Sequence, residues 1–241
     1  MLPAQPSLNQ NDGENNSVLF FGRTLSEYIK IFDLDLSLWK GSKILDCAAE
    51  PASFVAEANK LGIHAVGCDP LYAKDLELLI EQGRFDLERN IKFLSGFGDS
   101  ISNNFYPSID VRKEYTTLAL DKFIEDYPKG VEENRYIAAE LPKLPFDTES
   151  FDLVLSSHLL FSYSKIINKL DYQFHLDSIL ELFRVSKREV KIYPIQGSKN
   201  VLNEYVENLL IDLKKQGIIA ELVPLSYKFT QECSLILRLN H

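Results

Sequence analysis

Short apolar runs recur along the chain and predict the strands of a sheet. They are bounded by turn residues and are too short for helices. One of them is fully apolar at its centre, as expected for a parallel strand covered on both faces. The predicted strands are Ile44–Cys47, Ala65–Cys68, one beginning near Tyr136, Phe151–Ser156, Glu189–Ile195, and a final hairpin-like pair at Ile219–Val223 and Leu235–Leu239.

Apolar residues at helical spacing alternate with these strands. Leu25, Tyr28, Ile29 and Phe32 fall on one stripe and predict a helix over Thr24–Phe32. The alternation predicts an α/β fold with a doubly wound, mostly parallel sheet, helices on both faces and an antiparallel C-terminal edge strand. Similar stripes predict helices at Ser53–Lys60, Phe174–Phe183 and Val201–Gln216, the last ending at Gly217, which suits a helix C-terminus.

One connection is too long to be a simple loop. The residues from Leu71 to Asn134 separate the second strand from the next one, and structureless segments of that length are unusual inside a domain. We therefore expect a helical insertion after strand 2, over residues 71–134. Residues 1–17 are rich in polar residues, proline and glycine and predict a flexible tail. Residues 18–241 are expected to form one domain.

The segment from Lys43 to Pro70 predicts a pocket for an adenosine-bearing molecule. It combines a strand, a turn of small residues, a helix and a second strand followed by Asp69. An acid about twenty residues beyond such a turn can accept hydrogen bonds from ribose hydroxyls. Asp69 could also serve as a turn or helix cap. Glu50 lies within a turn that has no glycine. The missing glycines and the negative charge of Glu50 disfavour the pyrophosphate of a dinucleotide, whereas a ligand with a positive charge near the turn is favoured.

Composition limits the partners. The chain has 241 residues, of which 45% are hydrophobic and 25% charged, as in ordinary globular proteins. A net charge of −9 argues against nucleic acid and anionic membranes, because both are bound by basic surfaces. Neither a signal segment nor a membrane-spanning run is apparent, so a cytoplasmic location is expected. Three cysteines predict core residues rather than a disulfide framework or a zinc site, and nothing indicates the oligomeric state.

The segment from Arg135 to His158 carries a resemblance to a known superfamily. A third strand ends on Glu140, a Leu-Pro-Phe turn follows, and Ser-Phe-Asp leads into the fourth strand. This pattern resembles the class I S-adenosylmethionine-dependent methyltransferases, and the likeness extends from about residue 20 onward. It implies S-adenosyl-L-methionine (SAM) as cofactor and transfer of its methyl group to an unidentified small or medium-sized acceptor.

The resemblance also implies cofactor-binding residues. Asp46 and the turn through Ala52 would flank the methionine part. Asp46 is also expected to support the turn by accepting backbone N–H groups at the start of the following helix. Asp69 would hold the ribose, and Glu140 would meet the adenine amino group. N-terminal segments of the superfamily fold over the ligand. The full candidate set is Arg23, Tyr28, Asp46, Ala48, Glu50, Asp69, Glu140, Leu141 and Ser156.

Several roles remain open on the sequence alone. Arg23 would grip the methionine carboxylate or lie on the surface, and Tyr28 would bond at the same place or pack in the core. Glu50 would pair with a positive group of the ligand or point outward. The family turn reads G-x-G-x-G, whereas Ala48, Glu50 and Ala52 occupy those positions here. That departure keeps a second function open, a non-catalytic binding or interaction module.

His158 is the candidate catalytic residue. It follows the fourth strand, where this architecture places reacting groups, and a histidine can act as a general base near neutral pH. Its alternatives are a substrate hydrogen bond or a structural polar network. A hydrolase triad is not predicted because the nucleophile-elbow glycines are absent. Metal binding by His158 and His175 is not predicted either, since ligand spacing is missing.

Overall fold

A computed structural model describes residues 22–96, 105–164, 167–196, 201–226 and 234–241. The predicted tail, residues 1–17, lies outside them. Six helices are present in the described residues: α1 Leu25–Phe32, α2 Phe54–Lys60, α3 Leu76–Ser95, α4 Ile109–Glu132, α5 Tyr172–Val185 and α6 Val206–Lys215. Seven strands accompany them: β1 Lys43–Cys47, β2 His64–Cys68, β3 Tyr136–Ile137, β4 Phe151–Ser157, β5 Ser186–Tyr193, β6 Ile219–Pro224 and β7 Leu235–Asn240.

The strands form one sheet in the order β3-β2-β1-β4-β5-β7-β6. The first five strands are parallel, and β7 runs antiparallel to both of its neighbours, β5 and β6. Right-handed crossover helices between parallel strands put helices on both faces of such a sheet. The prediction of a doubly wound, mostly parallel α/β fold with an antiparallel C-terminal edge is confirmed.

Two hydrophobic cores cover the two faces. Ile44 of β1 packs with residues of α1–α4, whereas Leu45 packs with residues of α5 and α6. Successive residues of a strand point to opposite faces, so an apolar run without alternation is what a two-sided sheet requires. The helices predicted in the long connection are present as α3 and α4, which pack against each other.

One predicted helix begins later than expected. The apolar stripe from Val201 predicted a helix from that residue, but α6 begins at Val206. The Asn203 side chain accepts a hydrogen bond from the Tyr205 N–H at 3.0 Å, and Leu202 forms an isolated bridge with Gln196. Asparagine competes with helical hydrogen bonding in this way, so the apolar pattern extends beyond the helix itself.

The connection from α4 into β3 depends on close packing at a glycine. A Cβ atom at Gly130 would lie 2.2 Å from Cε2 of Tyr136, so any larger residue displaces that ring. The same ring lies beside Tyr72 and Phe123. Tyr72 also reaches the turn after β1, and this aromatic cluster therefore connects the helices of the long connection to the predicted ligand site.

Candidate functional site

The strand order reverses between β1 and β4. From β1 the sheet continues to β2 and β3 on one side and to β4 and β5 on the other. Ligands of open α/β sheets bind at this point, outside the carboxyl ends of the strands. Asp46 lies at the end of β1, and Asp69 directly follows β2. The fold thus places the two predicted acids at the expected edge of the sheet.

The turn after β1 contains no glycine, but one of its residues has a backbone conformation that favours glycine. Glu50 has φ of 50°, in the left-handed region that favours glycine. Its N–H donates to Oδ2 of Asp69 at 3.0 Å, and its carbonyl accepts from the Tyr72 hydroxyl at 2.7 Å. Its Oε2 accepts from the Gly22 N–H at 3.3 Å. Glu50 therefore links the turn to the segment preceding α1.

Asp69 supports this turn. The side chain is buried, with Oδ2 accepting from the Glu50 N–H and Oδ1 from the Leu71 N–H, both at 3.0 Å. The expectation that Asp46 would accept backbone N–H groups at the start of the following helix is wrong, because its Oδ2 accepts from the Tyr28 hydroxyl and its Oδ1 has no partner among the described residues. Asp69 supports the turn instead. Burial raises the pKa of Asp69 to about 6. A carboxylate offers about four acceptor positions, so ribose hydroxyls remain compatible with these bonds.

Asp46 is buried beneath α1. Its Oδ2 accepts from the Tyr28 hydroxyl at 2.8 Å, and its Oδ1 has no hydrogen-bond partner among the described residues. Burial raises the pKa of Asp46 well above its usual value. Tyr28 itself is buried and stacks on Phe54 at 4.6 Å between ring centroids. The structure thus joins Tyr28 to Asp46, and one carboxylate oxygen remains for a hydrogen-bond donor.

Arg23 is buried in a polar cluster, so the alternative of a surface arginine is wrong. Its Nη1 lies 3.4 Å from Oε1 of Glu27, an oxygen that also accepts from the Tyr106 hydroxyl. Oε2 of Glu27 accepts from the N–H and hydroxyl of Thr24 at 2.7 and 2.9 Å. Thr24 and Glu27 form the capping box of α1. The start of α1 is therefore fixed by the same carboxylate that holds Arg23.

His158 meets Arg23 at the end of β4. Its Nε2 lies 2.9 Å from Nη2 of Arg23, and its Nδ1 lies 2.7 Å from Oγ of Ser157. A guanidinium only donates, so Nε2 accepts and Nδ1 carries the proton. Burial, followed by the charges of Arg23 and Arg112, lowers the pKa of His158 well below its usual value. His158 has φ of 59°, a conformation that often marks functional sites.

The remaining candidates are Ala48, Leu141, Glu140 and Ser156. Ala48 is partly exposed in the turn, and Leu141 is buried in the same core as Cys47. Glu140 is exposed beyond β3, and its role toward adenine stays a prediction. Asp46 pairs with Leu155, so strand alternation directs Ser156 to the opposite face of the sheet. No group of three or more potential metal ligands occurs in the described residues.

Four residues of the cluster were not predicted from the sequence. Glu27 had a local signal, the Thr-x-x-Glu pattern of a capping box. Tyr106, Arg112 and Tyr193 had none, because they reach the site from distant segments. Tyr193 belongs to the cluster through its ring, whose centroid lies 5.2 Å from that of His158. Gly67 of β2 also contributes, since a Cβ there would lie 3.0 Å from that of Ala49.

Comparison with known proteins places the chain in a family. No protein-family model matches it. The uncharacterized protein MJ0045 of Methanocaldococcus jannaschii is 33% identical over 197 residues, which cover 81% of this chain and 86% of that protein. The chain belongs to the same family as MJ0045.

Solved methyltransferases show a more distant likeness. Magnesium protoporphyrin IX methyltransferase from Synechocystis, with bound SAM, is 11% identical, with 86% of this chain and 74% of that chain covered and a TM-score of 0.46. The 1,6-didemethyltoxoflavin-N1-methyltransferase from Burkholderia thailandensis, with bound 1,6-didemethyltoxoflavin and S-adenosylhomocysteine, is 8% identical, with 89% and 76% covered and a TM-score of 0.47. Likenesses at this level concern the fold alone.

The left-handed conformation of Glu50 predicts how substitutions at this position change the stability of the protein. Alanine in the left-handed region costs about 1–2 kcal/mol, a penalty that glycine avoids. Glu50→Gly should therefore have a free energy of unfolding about 1 kcal/mol higher than Glu50→Ala, as measured by urea denaturation. Both variants lose the contact with Gly22, so the pair isolates the backbone term. Equal stabilities would show that the turn relaxes away from φ of 50°.

Proposed function

We propose that the protein transfers the methyl group of SAM to a small or medium-sized acceptor. The observation that carries the proposal is Oδ1 of Asp46, a buried carboxylate oxygen without a hydrogen-bond partner among the described residues. A buried acid in this state is costly unless a donor or a positive charge meets it. SAM carries both an ammonium and a sulfonium group, and the site lies where α/β sheets bind nucleoside ligands.

The residues present fit the cofactor in three respects. Asp46 would meet the ammonium, and Asp69 would accept from the ribose hydroxyls through its remaining lone pairs. Glu50 adds a negative charge to the turn, which suits a cationic ligand and repels a pyrophosphate. When bound, SAM supplies a methyl group on a good leaving group, so the protein chiefly has to align the acceptor and exclude water.

The chain's own residues would then act on the acceptor side. Ser157 holds Nδ1 of His158, which fixes the ring orientation. Nε2 is engaged by Arg23, so His158 would accept a proton only after Arg23 turns to another partner. A carboxylate of the bound cofactor or of the acceptor is a suitable partner for a guanidinium. Ligand binding and activation of the base would thus be connected through Arg23.

A non-catalytic binding module is the second candidate. Tyr28 covers Asp46 and is only 2% exposed, and Arg23 is only 4% exposed, so the chain's own side chains fill much of this edge. Calorimetric titration with S-adenosylhomocysteine (SAH) and SAM separates the two functions. Binding of both ligands in the micromolar range supports the methyltransferase. Absence of heat at millimolar ligand favours the binding module.

Asp69→Ala tests the ribose contact. Removing the carboxylate leaves ribose donors without acceptors and should weaken SAH binding by about 1–3 kcal/mol. Since only the ionised carboxylate accepts both hydroxyls, wild-type affinity should also fall as the pH drops below about 6. That pH dependence should disappear in Asp69→Asn, which keeps the shape of the side chain.

Stability must be followed in the same variants, because Asp69 also holds two backbone N–H groups. The raised pKa means that folding favours the protonated acid, so its contribution to stability is largest below pH 3.8 and is lost as the pH rises through about 6. Stability and SAH affinity should therefore respond to pH in opposite directions. An unchanged dissociation constant in folded Asp69→Ala would remove Asp69 from the ligand site.

A further inference from the structure

Arg112 is a charged side chain that the mechanism above does not use. It lies in the first turns of α4 and is half-buried. Its guanidinium has no ion pair or side-chain hydrogen bond within the described ranges. The contact that it makes there is with the Tyr106 ring, whose centroid lies 5.0 Å from Cζ. A cation–π contact orients the guanidinium plane and leaves its N–H donors unused.

Arg112 belongs to the same cluster as His158. The Tyr106 ring lies under Arg112, the Tyr106 hydroxyl donates to Glu27, and Glu27 holds Arg23. Arg23 in turn contacts Nε2 of His158 at 2.9 Å. Arg112 also helps to lower the pKa of His158, and Arg23 helps to lower that of Arg112. Repulsion between positively charged groups lowers a pKa only when the groups are a short distance apart.

No carboxylate of the described residues forms an ion pair with Arg112. Glu27 accepts from Arg23, Thr24 and Tyr106, and it lies beyond ion-pair distance of Arg112. Burial lowers the pKa of Arg112, and the charge of Arg23 lowers it further. A partly desolvated guanidinium without a carboxylate partner is the arrangement that binds carboxylate or phosphate groups of ligands.

Aromatic side chains surround this guanidinium. Phe105 and Tyr115 are half-buried and lie against Tyr106, with ring centroids 5.0 and 5.8 Å from its own. Their own centroids are 4.9 Å apart. Partly exposed rings beside a cation provide an apolar surface for a flat molecule and a charged group for its substituent.

We propose that Arg112 and the rings of Phe105, Tyr106 and Tyr115 form the acceptor subsite, and that the acceptor carries an oxyanion on an aromatic ring. The inference rests on the proposed function only in treating this ligand as the methyl acceptor. Carboxylate and phosphate share the chemistry that Arg112 recognises. Bound there, the oxyanion completes the charge balance of the cluster, and the ring lies on the same side of the sheet as His158.

The test uses benzoate, phenyl phosphate and the neutral benzyl alcohol as probes of the full-length protein. Saturation-transfer NMR titrations should give binding of benzoate, phenyl phosphate or both, and much weaker binding of benzyl alcohol. Arg112→Gln should weaken binding of the charged probe at least roughly tenfold, the loss expected for a charge-assisted contact. Arg112→Lys should lie between, because lysine keeps the charge without the two-pronged geometry.

Lys113→Gln is the matched control, since Lys113 is the exposed neighbour of Arg112 on α4 and loses the same charge. It should bind the probes as wild type does. Equal binding of benzyl alcohol and benzoate, equal losses in Arg112→Gln and Lys113→Gln, or no binding of either anion would overturn the subsite. Preference for benzoate or for phenyl phosphate identifies the oxyanion, and either preference supports the proposal.

SAH titrations of the same variants separate this inference from the proposed function. Arg112→Gln should bind SAH as wild type does. SAH binding without probe binding would overturn the subsite and keep the methyltransferase. Probe binding that depends on Arg112 without SAH binding would overturn both the methyltransferase and the assignment to a methyl acceptor.

Discussion

Replacing Glu27 with alanine is expected to lower the free energy of unfolding by about 3–5 kcal/mol, the usual cost of breaking a buried ion pair. Glu27 is 1% exposed and lies 3.4 Å from Arg23. Its loss removes an ion-pair partner of the buried Arg23 guanidinium, the acceptor of the Tyr106 hydroxyl and the cap of the Thr24 N–H. Urea denaturation followed by circular dichroism measures the effect.

Two further variants make the measurement specific. Glu27→Gln keeps an acceptor for the capping box and removes only the charge, so its loss should be smaller than that of Glu27→Ala. Glu125→Ala removes an exposed carboxylate from α4 and should change stability by less than about 0.5 kcal/mol. A loss of less than about 1 kcal/mol in Glu27→Ala would mean that water or another group replaces the carboxylate.

The fold was predictable because its information is local. β1 and β4 are apolar runs with turn residues at their ends, and α1 carries both an apolar stripe and a capping box. Such patterns are set by neighbours within a few residues of the chain. The start of α6 was missed since Asn203 competes with the helix, although the surrounding residues are apolar.

The site was predictable only in part because its contacts join distant segments. The position of Asp69 after β2 was correct, but which acid supports the turn depends on a bond to Glu50, 19 residues earlier in the chain. The contact of Tyr106 with Glu27 spans 79 residues and that of Arg23 with His158 spans 135. No sequence-spacing rule relates residues so far apart, so the polar cluster could not be predicted from the sequence.

His158→Ala is expected to lower turnover by roughly a hundredfold or more, the contribution of a general base. The prediction needs an acceptor whose methylated atom loses a proton, and the ring-borne oxyanions bound through Arg112 are the compounds to screen. SAH affinity should change far less than turnover, since the ring contacts Arg23 and Ser157 but neither Asp46 nor Asp69. Initial rates at saturating SAM, together with SAH titrations, measure the two effects separately.

If His158 is the base, its pKa limits the pH range in which the enzyme turns over. A general base must be unprotonated, and the pKa of His158 is lowered well below 6.5 by burial and by Arg23 and Arg112. Turnover at saturating SAM should therefore remain constant on acidification until the pH is well below 6.5.

His175 is the control for a structural histidine, because it is buried and its Nε2 accepts from the Phe161 N–H at 3.0 Å. His175→Ala should lose thermal stability while keeping turnover per folded molecule. If His158→Ala behaves like His175→Ala, with stability reduced and turnover retained, then His158 only holds Arg23 in place.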